Sequence, residues 1–497
     1  MLHVASEQHP YVKTGGLADV LGALPAAQRE LGVDARLLLP GFPGVLDAGR
    51  GLTSIWTEAD LFGGGPARVF RGRLLGSPVP MYILDCPGHF SRVGNPYTGP
   101  DGNDWPDNAR RFAALGWVGA LLGGGLDPGL VSPLVHAHDW QGAMSVVYAR
   151  VNCLAATHAP TVLTIHNLAY SGSFGAHHQP HLRLPSSAMH IDGVEFYGQL
   201  SFLKGGLFYA DRITTVSPTY AKEIQGPEQG GGFDGLLRSR SSDVVGILNG
   251  VDYQRWSPSA DHFIPEGYDS EHLAGKRAAT HALRERLGFS RAGEGPMFGL
   301  VTRLVWQKGV DLVIGALPRL LTWGAQLVVL GSGDASLERE LIRLSERHPK
   351  QLRVVIDHDE ALSHLIQAGC DSMLVPSRSE PCGLTQLYAL SYGSPPVVRR
   401  TGGLADSVVD ATHSSIENRT ATGFVFEEPT TQALVGALHR AVKTFAARPT
   451  WRSIQRTGMQ QRFDWRASAE QYLSVYADAR RRPTTRGMAA EREPHLP

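Results

Sequence analysis

Residues 377–408 read SRSEPCGLTQLYALSYGSPPVVRRTGGLADSV, and this stretch decides how the rest of the chain is read. The apolar run Met373-Leu-Val-Pro376 before it has the character of a buried strand, and Leu384 to Leu390 after it that of a helix. Between them stand a carboxylate, a thiol and a glycine, Glu380-Pro-Cys-Gly383. In a parallel α/β unit this order puts Glu380 at the carboxyl end of a strand and turns the first free N–H groups of the next helix toward the same place. Such a place can hold an anion on the amides and a sugar hydroxyl on the carboxylate. A lone Glu-Pro-Cys-Gly is equally an ordinary junction with Pro381 starting the helix, so the argument turns on what surrounds it.

Working outward, strand-like runs alternate with helix-like ones along nearly the whole chain. The first series is Leu2–Ala5, Ala35–Leu39, Met81–Leu84, Leu134–Ala137, Thr161–Ile165 and Arg212–Val216. The second is Val244–Leu248, Met297–Val301, Gln326–Leu330, Leu352–Ile356, Met373–Val375 and Pro396–Val398. Each series predicts a doubly wound parallel sheet, so the fold class is α/β with two Rossmann-like domains. The expected boundaries are 1–243, 244–465, a last helix over 466–479, and a tail over 480–497 rich in Arg, Pro and Glu, which predicts disorder. One motif occurs twice: Lys13-Thr-Gly-Gly-Leu-Ala-Asp19 returns as Arg400-Thr-Gly-Gly-Leu-Ala-Asp406. Both copies follow a strand-like run and precede a helix, which suggests two related halves.

Composition narrows the function. The 497 residues contain 47 Lys+Arg and 47 Asp+Glu, so no basic excess exists to track a nucleic-acid backbone. The longest charge-free apolar run, Phe112 to Leu126, is Gly-rich and shorter than the ~20 residues a membrane span needs. Cys86, Cys153, Cys370 and Cys382 show no C-x-x-C spacing, which fits a reducing cytoplasm and no zinc site. Nothing in the sequence identifies a protein partner.

Several strand ends carry chemistry. Thr302-Arg303-Leu-Val-Trp-Gln-Lys308-Gly309 sets a guanidinium and an amine five residues apart, a pair that can converge on one diphosphate or remain two solvated cations. His136-Ala-His138-Asp139-Trp140 and Thr164-Ile-His166-Asn167 end neighbouring strands and suggest a hydroxyl-binding pocket, although a structural histidine is the commoner outcome for any one of them. Asp357-His-Asp359-Glu360 reads as a helix N-cap with a first-turn acid, not as a metal-binding D-x-D. There is no nucleophile elbow, Walker A loop or H-E-x-x-H.

Taken together, KTGGLADV (13–20), HAHDW (136–140), IHNLAY (165–170), ILNGVD (247–252), TRLVWQKG (302–309), EPCGLTQLYAL (380–390) and RRTGGLADS (399–407) closely resemble the ADP-glucose-dependent glycogen and starch synthases. The motifs stand in the family order and reach from the first strand to about residue 478. The resemblance implies a GT-B fold, with two Rossmann-like domains around a cleft and the last helix crossing back to the first domain. It implies the acceptor glucan on the first domain, ADP-glucose on the second, and retaining transfer of glucose to the 4-hydroxyl at the non-reducing end of an α-1,4-glucan. No metal or other cofactor is implied.

By the same resemblance, Glu380 holds glucose hydroxyls, and Arg303 and Lys308 neutralise the departing ADP. Asp139 and His166 face the donor glucose, His166 through its backbone carbonyl. Lys13, with the Gly15 and Gly16 amides, binds near the phosphates, and Asn249 also reaches the substrate. The amides of Cys382, Gly383, Leu384 and Thr385 take sugar and phosphate oxygens, and Tyr97 stacks on adenine. Two departures stand out: Tyr388 where many relatives of the fold have a second glutamate, and Gly99 where the family usually has an acid. The same residues leave open a UDP-glucose donor, a different acceptor, or a glucan-binding protein without turnover.

Overall fold

The structure is a computed structural model and describes residues 1–152, 159–289 and 295–482. Cys153 and the tail beyond Arg482 lie outside the described residues. The chain divides into two compact units: Met1–Gly250 together with the segment from Trp465, and Val251–Asp464.

In the first unit the strand order is Val244–Gly246, Arg212–Thr215, Thr161–Ile165, Val135–His138, Leu2–Val4, Arg36–Pro40, Pro80–Asp85, Ala67–Leu74, Gly49–Glu58. Seven strands run parallel. The last two form an antiparallel hairpin on the edge. Counting only the parallel strands in chain order gives 3-2-1-4-5-6-7, with the order reversing between Leu2–Val4 and Val135–His138. A doubly wound sheet binds ligands at the carboxyl ends beside such a reversal.

The charge-free run near residue 112 becomes the helix Asn108–Gly123, buried on nearly all sides. That is why it reads as apolar all round: it is a core helix. The terminal helix Trp465–Arg481 buries Trp465, Ser468, Ala469, Tyr472, Val475, Tyr476 and Ala479, a stripe at three- and four-residue spacing. No helix among the described residues is long and apolar enough to cross a membrane.

In the second unit the order is Leu352–Val355, Gln326–Leu330, Met297–Val301, Ser372–Val375, Val397–Arg399, Phe424–Phe426, all parallel. In chain order this is 3-2-1-4-5-6, the dinucleotide-binding arrangement, with its reversal between Met297–Val301 and Ser372–Val375. Asp359 caps the helix Glu360–Gly369 by accepting from the Leu362 amide, as its place in the sequence predicts.

Two expectations are corrected. Val244–Gly246 pairs with Arg212–Thr215 and so completes the first sheet instead of opening the second. The boundary at 243/244 therefore moves to 250/251. Strand alternation cannot say which sheet a strand joins, because only its pairing partner decides that. The edge hairpin and Phe424–Phe426 had no sequence reading. The hairpin strand Gly49–Glu58 has no fully buried residue, so its apolar pattern is weak.

Candidate active site

At the reversal point of the second sheet, one pocket is lined by Leu300, Val301, Thr302 and Lys308 from one strand end, and by Leu374 to Ser377 and Glu380 from the other. Gly383, Leu384 and Thr385 complete it. Lys308 ends a short 3-10 turn and places Nζ 2.6 Å from Glu380 Oε2. Ser377 Oγ donates to the same oxygen at 2.8 Å. The pair is mostly withdrawn from water, with side-chain exposures of 16% and 11%. A cation and a carboxylate thus face a small polar pocket from opposite strands.

The neighbouring loops are braced. Arg378 forms a two-pronged pair with Asp311 at 2.7 Å and 2.7 Å, and its guanidinium lies 4.2 Å from the centre of the Trp306 ring. This ties the loop that carries Lys308 to the loop that carries Glu380. Arg303 stands exposed on the Lys308 loop, outside the pocket lining. Cys382 is also outside the lining and buried. Its carbonyl accepts from Gln386 Nε2 at 3.0 Å, so Cys382 shapes the turn, and three of the four expected amide positions border the pocket.

The repeated motif serves two different purposes. In the second unit, Gly403 N donates to Glu380 O at 3.2 Å and to Pro381 O at 3.1 Å. A Cβ on Gly403 would fall on the Cys382 carbonyl, and one on Gly402 on that of Glu380. These glycines let one loop lie directly against the Glu380 loop. In the first unit, a Cβ on Gly15 or Gly16 would meet nothing within 4 Å. Those glycines line open space at the start of the helix Gly16–Glu30.

One residue at that loop escaped sequence reasoning. Glu7 is 3% exposed, and its carboxylate accepts from Thr14 N at 2.6 Å, Thr14 Oγ1 at 2.5 Å and Gly15 N at 3.2 Å. The Gly15 amide is therefore already engaged. Tyr97 donates its hydroxyl to Glu7, and its ring packs near Phe112 and Trp140. That position makes Tyr97 a brace for Glu7, and the adenine-stacking expectation gains no support. Lys13 is exposed and pairs with Asp19 at 2.8 Å. Glu7 has no motif around it; only the fold brings it under the glycine loop.

At the carboxyl ends of neighbouring strands in the same unit, Asp139 opens the helix Asp139–Val151 with φ of 50°. A left-handed backbone at a non-glycine residue is strain of the kind that collects at functional sites. Its Oδ1 accepts from the amides of His166 at 2.7 Å and Asn167 at 3.3 Å. This sets the course of the chain through His166. Burial pushes the Asp139 carboxyl up to about 7, against the lowering effect of those two amides. Asn249 is buried with Oδ1 lacking a partner among the described residues.

The Asp139 carboxyl yields a stability prediction. Its pKa in the folded protein lies above the unfolded value near 4, so the folded state holds the proton more tightly. The associated stability is complete below about pH 4 and is lost as pH rises through about 7. Asp139→Asn removes the charge, so its melting temperature should gain on that of the native protein between pH 5.5 and pH 8.5. An equal difference at both values would mean that the carboxyl is already ionised at the lower pH.

His3, His136 and His138 form the single histidine or acid cluster with metal-ligand proximity among the described residues. All six ring nitrogens already sit in hydrogen bonds within the protein. The cluster fits a hydrogen-bond network better than a set of ligands.

Against known proteins, the starch synthase catalytic domain family matches residues 1–239, and the family of glycosyl transferases group 1 matches residues 285–453. The glycogen synthase of Rhodopseudomonas palustris (strain BisA53) is 47% identical over 495 residues, covering 100% of this chain and 98% of that one. The chain belongs to the glycogen synthase family. Another member, from Haemophilus influenzae, is 48% identical over 478 residues, 96% of this chain and 99% of its own. Among solved structures, the catalytic domain of starch synthase IV from Arabidopsis thaliana, bound to ADP and acarbose, matches with a TM-score of 0.85 at 31% identity. That match covers 96% of this chain and 98% of that one. A sucrose-phosphate synthase from Thermosynechococcus elongatus, at 17% identity and TM-score 0.56, shares the fold alone. The fold class is GT-B, as the sequence motifs imply.

Proposed function

We propose that this chain transfers glucose from ADP-glucose to the 4-hydroxyl at the non-reducing end of an α-1,4-glucan, with retention at the anomeric carbon. Glycogen grows by one residue per turnover. The observation that carries this reading is the Lys308–Glu380 pair at the reversal point of the second sheet, in a chain that matches glycogen synthases over its full length.

The roles follow from charge and position. Lys308 and Arg303 neutralise the departing diphosphate, where negative charge grows most in the transition state. Glu380 accepts from glucose hydroxyls, while the amides of Gly383, Leu384 and Thr385 meet sugar and phosphate oxygens. Asp139 and His166 face the donor hexose, and Lys13, Gly16 and Asn249 complete its surroundings. The bond from C1 to the phosphate oxygen breaks with its electron pair on ADP. The acceptor oxygen bonds to C1 on the same face, and its proton passes to the departing phosphate. A covalent glucosyl-enzyme seen by mass spectrometry would overturn that route.

With cations and amides doing the neutralising, the reaction needs no metal. A nucleotide-sugar donor and the buried free thiols Cys86 and Cys370 fit a cytoplasmic setting. ADP release from ADP-glucose and glycogen, run beside UDP-glucose and with EDTA, tests the proposal. Release from ADP-glucose alone, unchanged by EDTA, is expected. Release from UDP-glucose would change the donor, loss with EDTA would require a metal, and glucan binding without turnover would make the chain a binding protein.

A further inference from the structure

On one face of the first sheet, polar side chains form a continuous buried chain where apolar ones would be expected. Gln28, on the helix Gly16–Glu30, offers Oε1 to His3 Nε2 at 2.7 Å. His3 Nδ1 lies 3.0 Å from His138 Nε2, and His138 Nδ1 lies 2.9 Å from His166 Nε2. Gln28, His3 and His138 are wholly buried, and His166 is half-buried at the strand end. A buried polar chain of this length is costly unless every member is satisfied, and here each link is made.

The chain has a direction. Gln28 Nε2 donates to the Tyr476 hydroxyl at 2.8 Å, which leaves Oε1 as the group facing His3. The rings are neutral, since burial holds His3 at about 4 and His166 at about 3 and keeps His138 well below the usual range. A neutral imidazole carries one N–H and one lone pair. An acceptor at Gln28 therefore requires the proton of His3 on Nε2. His138 must then donate from Nε2 to His3, and His166 from Nε2 to His138. Each ring hands the same polarity to the next.

We propose that Gln28, acting through His3 and His138, fixes the tautomer of His166, so that its ring meets the bound hexose with Nδ1 as a hydrogen-bond acceptor. Gln28, His3 and His138 are thus positioning residues, and His166 alone touches substrate. The inference rests on the placement of His166 at the donor sugar in the proposed function. Tyr476 also links Gln28 to a second branch: its hydroxyl accepts from Gln28 and lies 2.8 Å from His136 Nδ1. His136 Nε2 in turn lies 2.6 Å from Thr164 Oγ1. The last helix, which carries Tyr476, thereby helps hold the Gln28 amide in one orientation.

The test is the nitrogen NMR spectrum of full-length protein labelled at histidine, with the His166 signals assigned by their loss in His166→Gln. A bare Nδ1 and a protonated Nε2 are expected in the native protein. Gln28→Leu removes the acceptor, so His166 should populate both tautomers and kcat should fall several-fold with the KM for glucan unchanged. Gln28→Glu keeps an oxygen toward His3 and should retain the native tautomer and most of kcat, which separates polarity from packing. A native His166 protonated at Nδ1, or a spectrum unmoved in Gln28→Leu, would overturn the inference. Full activity in His166→Ala would overturn the contact of the ring with the hexose, whatever the tautomer proves to be, whereas native protein that releases no ADP from ADP-glucose would overturn the proposed function itself.

Discussion

Lys308→Ala should lower kcat with ADP-glucose by about 10²–10³-fold, the usual cost of deleting one group that stabilises developing negative charge. The amine is held at the pocket, 2.6 Å from Glu380. Deleting it has a second consequence. Glu380, 9% exposed, would lose its ion-pair partner and keep the Ser377 hydroxyl. Stability should drop by about 1.5–3 kcal/mol, the value of a hydrogen bond to a charged group. Glu380→Gln keeps the shape but loses the charge, so it should cost activity with a smaller change in melting temperature. In the double variant the two stability losses should not add, because each single change already breaks the same pair. Lys308→Ala with near-native kcat would remove this pair from the reaction.

The two copies of the Thr-Gly-Gly-Leu-Ala-Asp motif should respond oppositely to the same substitution. Gly403→Ala puts a methyl group on the backbone of Cys382, which has no room to move without shifting Glu380. Overlap with backbone in a packed loop belongs among the severe cases, so a loss above about 3 kcal/mol and a near-total loss of activity are expected. Gly16→Ala meets nothing within 4 Å, and alanine also has less backbone freedom to lose on folding. Melting should hold or rise by up to about 1 kcal/mol equivalent, while the KM for ADP-glucose increases because the methyl occupies the open side of the loop. Calorimetry beside steady-state kinetics on the two variants gives both readings. An unimpaired Gly16→Ala enzyme would mean that substrate does not approach this loop closely.

The sequence by itself determined a good deal. Apolar runs alternating with helix-like ones establish two parallel sheets, because a strand buried on both faces reads as a near-continuous apolar run. The Glu380 and Lys308 motifs were legible because parallel sheets deliver their chemistry at strand ends, where motifs are short and contiguous. Asp359 could be read as a cap because capping is local.

What only the tertiary structure decided depends on contacts between residues far apart in the chain. Val244–Gly246 joined the first sheet through its pairing with Arg212–Thr215, and no local pattern carries that choice. The two glycine motifs are nearly identical as letters. One packs against the Glu380 loop and the other lines open space, because the neighbours differ and not the motif. Glu7 comes under Thr14 and Gly15 through a turn of the backbone and has no surrounding pattern. His3, Gln28, His138 and His166 lie up to 163 positions apart, as 166 − 3 shows. Strand pairing sets His3 beside His136, and alternation along the strand turns His138 to the same face as His136. A hydrogen bond needs about 3 Å and a defined direction, and that geometry exists only once the sheet has formed.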